Sequence, residues 1–438
     1  MPLFSFPNLI VVFVAALAAL VLLFSRALAH SSAWRATTTP LASIMGSGFL
    51  VCAPLLYAHV GNSAVLAMGV LLFIAYGIGS VIRFNIRYAE PLFDTASAAE
   101  TASTENHPLH NAHCQTAGCV AGNRTLQTLE TLSHFVLAGA YCVSVSYYLQ
   151  LLAHFSLHHF PWRGTVIENG IVTAILLGIG TIGILRGLKG IERVERFVVG
   201  LNLALILSLI AGLIYFNSTA LIDGDWSVQP LPVDEDTGHL ARILMGLLIV
   251  VQGFETSRFL GSEHSAEERI RTMRWAQIIS SLIYLVFVAL MALVMGHTDP
   301  SAAPAGVTAI ITLSAIVAPV LPLMITLTAV GSQFSAATAD DAGCAGLIQS
   351  FLKRRKGLRW EYAFVSTVSI ALTWLTDTFE IINIASRAFA LYYMIQCLVA
   401  LVVVQQTQNM KARYMRCGMF ACLALLCMAV VIWGIPAG

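Results

Sequence analysis

Ser43-Ile44-Met45-Gly46-Ser47-Gly48 interrupts a hydrophobic stretch running from about Leu41 to Val60. Gln252-Gly253-Phe254-Glu255-Thr256 interrupts another, from about Leu240 to Leu260. Lipid cannot hydrogen-bond a bare backbone, so a break at that depth persists only where protein buries it or it lines a wet cavity. The two breaks occupy corresponding places in the two halves of the chain. Paired Gly-interrupted helices of this kind point to a binding site between repeats.

Around these stretches the chain is apolar from end to end. Of its 438 residues 58% are hydrophobic and only 11% are charged, against roughly 25% charged in a soluble domain. Twelve windows are long enough to cross a bilayer: Leu9–Leu28, Leu41–Val60, Ala64–Ile86, Leu129–Leu152, Val166–Leu185, Phe197–Phe216, Leu240–Leu260, Trp275–Met295, Val307–Ala337, Tyr362–Leu375, Ile381–Val404 and Arg416–Trp433. The longest polar connection, Tyr88–Gln127, leaves no room for a soluble domain. The net charge of +1 is uninformative here, and no nucleic-acid partner is expected.

The placement of charge sets the expected topology. Basic residues fill alternate loops: Arg26 and Arg35; Arg83, Arg87 and Arg124; Arg186 to Arg196; Arg258 to Arg274; Lys353-Arg354-Arg355-Lys356 with Arg359; and Lys411 to Arg416. The intervening loops hold little beyond Arg163, and the segment from Leu221 to His239 is acidic. The positive-inside rule then puts the basic loops in the cytoplasm and both termini outside the cytoplasmic membrane. Leu9–Leu28 lacks a positive n-region and is long for a signal peptide, so it is expected to stay as an anchor. His107, His110, His113, Cys114 and Cys119 match no zinc spacing. That loop reads as a polar connection and no metal is expected.

Setting aside a leading segment (1–40) and a trailing one (406–438), two sets of five spans remain, at 41–220 and 240–405. An odd number of spans forces the second set to be inverted relative to the first. The fold expected is therefore all-α, a 5+5 inverted repeat with one extra helix at each end and a broken first helix in each set. Amides freed at the first break would seat a carboxylate. Carbonyls freed at the second would accept an ammonium group, which together describe an α-amino acid.

At this point a family resemblance emerges. Ala42-Ser43-Ile44-Met45-Gly46-Ser47-Gly48-Phe49 resembles the Gly-Ser-Gly stretch on the first core helix of the amino acid–polyamine–organocation (APC) superfamily. Gly253-Phe254-Glu255, followed by Gly261-Ser262-Glu263 and Arg269–Arg274, resembles its sixth-helix signature. Ile191–Arg196 is similar to the amphipathic start of its fifth helix. The resemblance implies a leucine-transporter-like fold working by alternating access. It implies substrate contacts at Ser43, Met45, Gly46, Ser47 and Gly48 and at Val250, Gly253 and Phe254, with Glu255 linking occupancy to gating. Proton-coupled members often carry a lysine where this chain has Asn202, and asparagine cannot exchange a proton. Sodium-coupled members use hydroxyls of the eighth helix. Here Ser332, Ser335 and Thr338 share one face but are not the adjacent pair that pattern requires. Sodium or proton thus stays open as coupling ion, exchange of solutes is a third option, and no cofactor is expected.

Tyr141, Ser144 and Tyr148 share a face of the third core helix, where a substrate side chain could rest. Arg387 is expected to act as a gate by pairing with Glu380 or Asp377, whereas Asp340 and Asp341 read as solvated helix end. The Asp-Pro-Gly-Asn and Met-Pro-His clusters of metal-ion transporters of this fold are missing, as is the Trp-Arg-Phe of sodium-coupled neurotransmitter transporters. No motif of a membrane enzyme lies in the spans. The chain reads as a secondary transporter for an amino acid or similar small amine. The alternative reading is a non-transporting sensor built on the same fold.

Overall fold

The computed structural model describes residues 5–23, 25, 31–93, 117–161, 164–186, 191–226, 236–260, 264–296, 306–351, 360–407 and 412–436. Most of the His/Cys loop at 107–119, the basic run Lys353–Lys356 and Gly261–Glu263 lie outside them, as do the side chains of Ser47 and of 191–198. The described residues form helices and no strand.

In chain order the helices are α1 (Ser5–Leu23), α2 (Ser32–Val60), α3 (Ala64–Tyr88), α4 (Ala117–Leu157), α5 (Thr165–Arg186), α6 (Ile191–Ile222) and α7 (Thr237–Gly246). After α7 come two 3₁₀ segments, Leu248–Val251 and Phe254–Leu260. Then follow α8 (Ala266–Gly296), α9 (Ala309–Val317), α10 (Leu321–Phe351), α11 (Trp360–Leu375), α12 (Thr378–Gln406) and α13 (Arg413–Trp433). Polar caps set several of the starts. Ser31 accepts from the Trp34 amide, Asp236 from Gly238 and Asp377 from Glu380, each satisfying a donor that a first turn leaves free. The Ser31 cap also explains why α2 begins well before the expected Leu41.

Helices at corresponding places in the two sets pack on one another. α2 meets the broken segment after α7, α3 meets α8, α4 meets α10 and α5 meets α11, so four helices of the first set touch their counterparts in the second. α1 lies along α6, held by Ser208 Oγ donating to the Val12 carbonyl at 2.7 Å. α13 lies along α12. Large apolar side chains such as Phe73, Phe135 and Leu282 are exposed, as a lipid-facing surface requires. The interior is aromatic, with Phe49, Tyr147, Tyr148, Phe254, Tyr284, Phe287, Phe389, Tyr392 and Tyr393 fully buried.

Three expectations are corrected. The first is the broken first helix, because α2 runs unbroken through Ser43–Gly48 and keeps those amides in its own ladder. The small residues serve close packing instead: a Cβ on Gly48 would stand 2.7 Å from Val250 Cα, so only glycine lets the two backbones approach. The second is the span Val307–Ala337, which is two helices. Ala318 is extended (φ −157°, ψ 139°) before Pro319, as the residue before a proline prefers. The third is Asp340 and Asp341, which are buried rather than solvated, because α10 continues to Phe351.

Candidate functional site

The second break is present. α7 ends at Gly246, Gln252 is extended (φ −84°, ψ 176°) and Gly253 has φ +115°. That torsion is open to glycine and strained for any other residue. Gly253 also touches α2, since a Cβ there would lie 2.7 Å from Ile44 N and 2.6 Å from Ser43 Oγ. The break and the Ser43–Gly48 turn therefore form one junction, with Gly253 on one side and Gly48 on the other.

Side chains from other helices hold this junction. The Tyr284 hydroxyl of α8 reaches both the Ile44 carbonyl (3.0 Å) and the Val250 carbonyl (2.7 Å). Gln333 Nε2 of α10 donates to the Gly46 carbonyl at 3.0 Å. Ser386 Oγ of α12 donates to the Gly246 carbonyl (2.6 Å) and accepts from the Ile249 amide (3.0 Å), satisfying both sides of the helix end. Glu255 is buried. Its Oε2 accepts from the Tyr393 hydroxyl (2.8 Å) and from the Gly253 amide (3.0 Å). Phe254 stacks on Tyr393 at 5.3 Å, and Gln252 Nε2 donates to the Tyr148 hydroxyl at 3.1 Å.

Arg258 turns away from Glu255. Its Nη2 lies 2.7 Å from Glu130, its Nε 3.6 Å from Glu90, and its Nη1 donates to Gln396 at 2.5 Å. Arg269 pairs with the same Glu90 at 2.7 Å and donates to the Arg258 carbonyl at 2.8 Å. This network ties the segment after the break to α4, α8, α12 and the residues following α3. A buried pair of this kind is costly to split.

A cavity of ≈ 40 Å³ opens beside the junction, lined by Thr39, Ala42, Ser43, Val199, Asn202, Thr256, Ser332, Ser335, Ala336, Ala339 and Asp340. That volume holds about three waters, too little for an amino acid. Four residues singled out from sequence, Ser43, Asn202, Ser332 and Ser335, share its wall. Thr338 does not join them, since its hydroxyl donates to the Ser335 carbonyl at 2.9 Å.

The other expected residues lie elsewhere. Met45 is buried in the core, and the Val250 carbonyl accepts from Tyr284. Tyr141 packs edge-on to Phe389 at 6.1 Å, and Ser144 donates to Asp340. Arg387 is corrected: it donates to the Gly434 carbonyl, while Asp377 caps the Glu380 amide. Sequence reasoning missed Asp340, Gln333, Tyr284 and Tyr393. A polar residue at such depth was the available signal for Gln333, and the small residues from Ala339 to Gly346 were a signal that α10 continues past Asp340.

Paired helices about a break, beside a small cavity, are an arrangement of the leucine-transporter-like architecture. The chain belongs to the APC superfamily of transporters, whose family model matches residues 26–434. It is 37% identical over 393 residues to an uncharacterized protein of Aquifex aeolicus (strain VF5), covering 90% of this chain and 89% of that one. Among solved structures it is similar to a mutant form of the manganese transporter of Eremococcus coleocola. There the TM-score is 0.53 at 13% identity, over 91% of this chain and 87% of the other. A likeness at that identity speaks for the fold alone.

Proposed function

We propose that the chain is a secondary transporter that moves an amino acid or similar small amine across the cytoplasmic membrane by alternating access. The observation that carries this reading is the seating of Gly253, in a glycine-only torsion, on the Ser43–Ile44 backbone beside a cavity walled by Ser43, Asn202, Ser332 and Ser335. At these two points a glycine lies against the opposing segment, so no side chain of its own has to be moved when the junction shifts.

In this reading the conformation described is one closed at the substrate position. The Gly46–Gly48 amides are spent in α2, and the Val250 carbonyl accepts from Tyr284. A substrate carboxylate would be seated when α2 unwinds at the glycine pair. Each glycine makes that cheaper by about 1 kcal/mol relative to alanine. An ammonium group would be met by carbonyls of the break and by Glu255. In this reading Glu255 reports occupancy, because displacing its bonds to Tyr393 and the Gly253 amide loosens the break itself. With the basic loops facing the cytoplasm, both termini lie outside.

The test is uptake of labelled amino acids and small amines into proteoliposomes, comparing wild type with Glu255→Gln. The variant should bind substrate and fail to complete transport. Full transport by Glu255→Gln would remove Glu255 from the mechanism. No solute uptake by wild type in any gradient, with binding intact, would favour a sensor.

A further inference from the structure

Two adjacent carboxyl groups of α10 lie deep in the protein, and the expected site does not use them. Asp340 reaches the cavity wall, and its Oδ2 accepts from Ser144 Oγ of α4. Asp341 is 1% exposed, and neither of its carboxyl oxygens has a hydrogen-bond partner among the described residues. No arginine, lysine or histidine among them forms an ion pair with Asp341. A naked carboxylate inside a membrane protein is far more costly than a neutral carboxylic acid. Asp340, at the preceding position, brings a second carboxyl group on the same turn of α10 to the cavity wall.

We propose that Asp341, together with Asp340 at the cavity wall, is the site that takes up and gives back a proton during the transport cycle. The proposal rests on the transporter reading and names its coupling ion. Uptake is balanced as a transfer from hydronium in the cavity to a carboxylate oxygen. One O–H bond breaks to leave water, one O–H bond forms, and one negative charge is cancelled. Asp340 exchanges with cavity water, and Asp341 holds the proton where water does not reach.

Geometry separates this pair from the other acid of the site. The titratable groups of α4 on this side are Tyr141, which abuts Gly343, then Cys142, whose sulfur lies 3.6 Å from that of Cys344, and Tyr148. Tyr141 and Tyr148 lie within electrostatic range of both Asp340 and Glu255. On α10 itself the neighbour is Cys344. α11 brings the buried Glu361 in its first turn. α2, α9 and the inner half of the break contribute only the hydroxyls Thr39, Ser43 and Thr256 to the cavity or nothing titratable, and α6 contributes Asn202. The side chains of Glu192, Arg193, Glu195 and Arg196, at the start of α6, lie outside the described residues.

Two measurements on the full chain test this. In lightly buffered proteoliposomes, a transported solute should drive proton movement in wild type. Asp341→Asn and Asp340→Asn should lose that movement while retaining solute counterflow, and Asp341→Glu should restore it. In purified protein near neutral pH, the infrared band of a protonated carboxyl should be present in wild type and diminished in Asp341→Asn. Proton movement unchanged in both asparagine variants would overturn the proposal, as would accumulation driven by sodium with no proton movement. An infrared band unaffected by Asp341→Asn would overturn it even if that variant folded poorly in vesicles. Absence of any solute movement by wild type would sink the transporter reading and this coupling with it, whereas the infrared result stands apart from transport.

Discussion

Replacing Gly48 and Gly46 separately by alanine asks what the glycine pair of α2 does. Both lie inside the same helix, so each substitution gains the same helix propensity, about 1 kcal/mol. Their surroundings differ. A Cβ on Gly46 would rest 3.7 Å from Ala336 Cβ and from Ser332 Oγ, an ordinary van der Waals distance. A Cβ on Gly48 would stand 2.7 Å from Val250 Cα and 2.9 Å from its Cβ and Cγ1. The first atom is backbone and cannot rotate away, so α2 and the break must separate. Forced overpacking costs about 1–3 kcal/mol. Because the propensity gain cancels between the variants, that cost is their whole difference, equivalent to about 5–150-fold in the population of the packed conformation. Gly46→Ala should melt at or above wild type in detergent, and Gly48→Ala below it. Hydrogen exchange should rise over 247–256 in Gly48→Ala alone. Trimming Val250 to alanine should not rescue Gly48→Ala, since the backbone atom that the new methyl strikes is still there. Equal behaviour of the two alanine variants would refute the close-packing argument. Damage confined to Gly46→Ala would restore the view that this turn is a preformed carboxylate seat.

Further outcomes follow from the same junction. Tyr284→Phe removes the hydroxyl that joins the Ile44 and Val250 carbonyls, and should lower stability by about 1–2 kcal/mol, read by thermal unfolding; a wild-type melt would show that water replaces it. Ser386→Ala frees the Gly246 carbonyl and the Ile249 amide together and should cost about 1–3 kcal/mol, with faster exchange at Ile249. Glu130→Gln leaves Arg258 with Gln396 and the more distant Glu90 and should cost about 1.5–3 kcal/mol, loosening 254–260 in hydrogen exchange; protection equal to wild type there would deny the network its holding role.

The sequence made the helix set and the second break legible because both rest on local signals. Long apolar runs need only length and hydropathy. Gly253 followed by an acid inside such a run has few uses other than an unwound turn. The first break was misread because Gly46-Ser47-Gly48 suits two structures equally well, an open turn and a close helix approach, and only the position of Val250 decides between them. Asp340 and Asp341 were misplaced for a related reason. Hydropathy ends α10 near Ala337, whereas small residues packed against α4 carry the helix on to Phe351. Asn202, Ser332 and Ser335 were singled out on separate grounds, and their meeting in one cavity is a fact of tertiary packing that no local window holds.

That meeting bears on how the two halves communicate. Ser43 touches Gly253 on one side and the cavity on the other, and Thr256, a turn beyond Gly253, lines the same cavity. Both partners of the junction therefore contribute to the wall of one cavity. Tyr284 and Gln333 attach α8 and α10 to the same few carbonyls, so α2 and the break cannot part without giving up buried hydrogen bonds at both. A junction held this way favours two packed arrangements over a continuum.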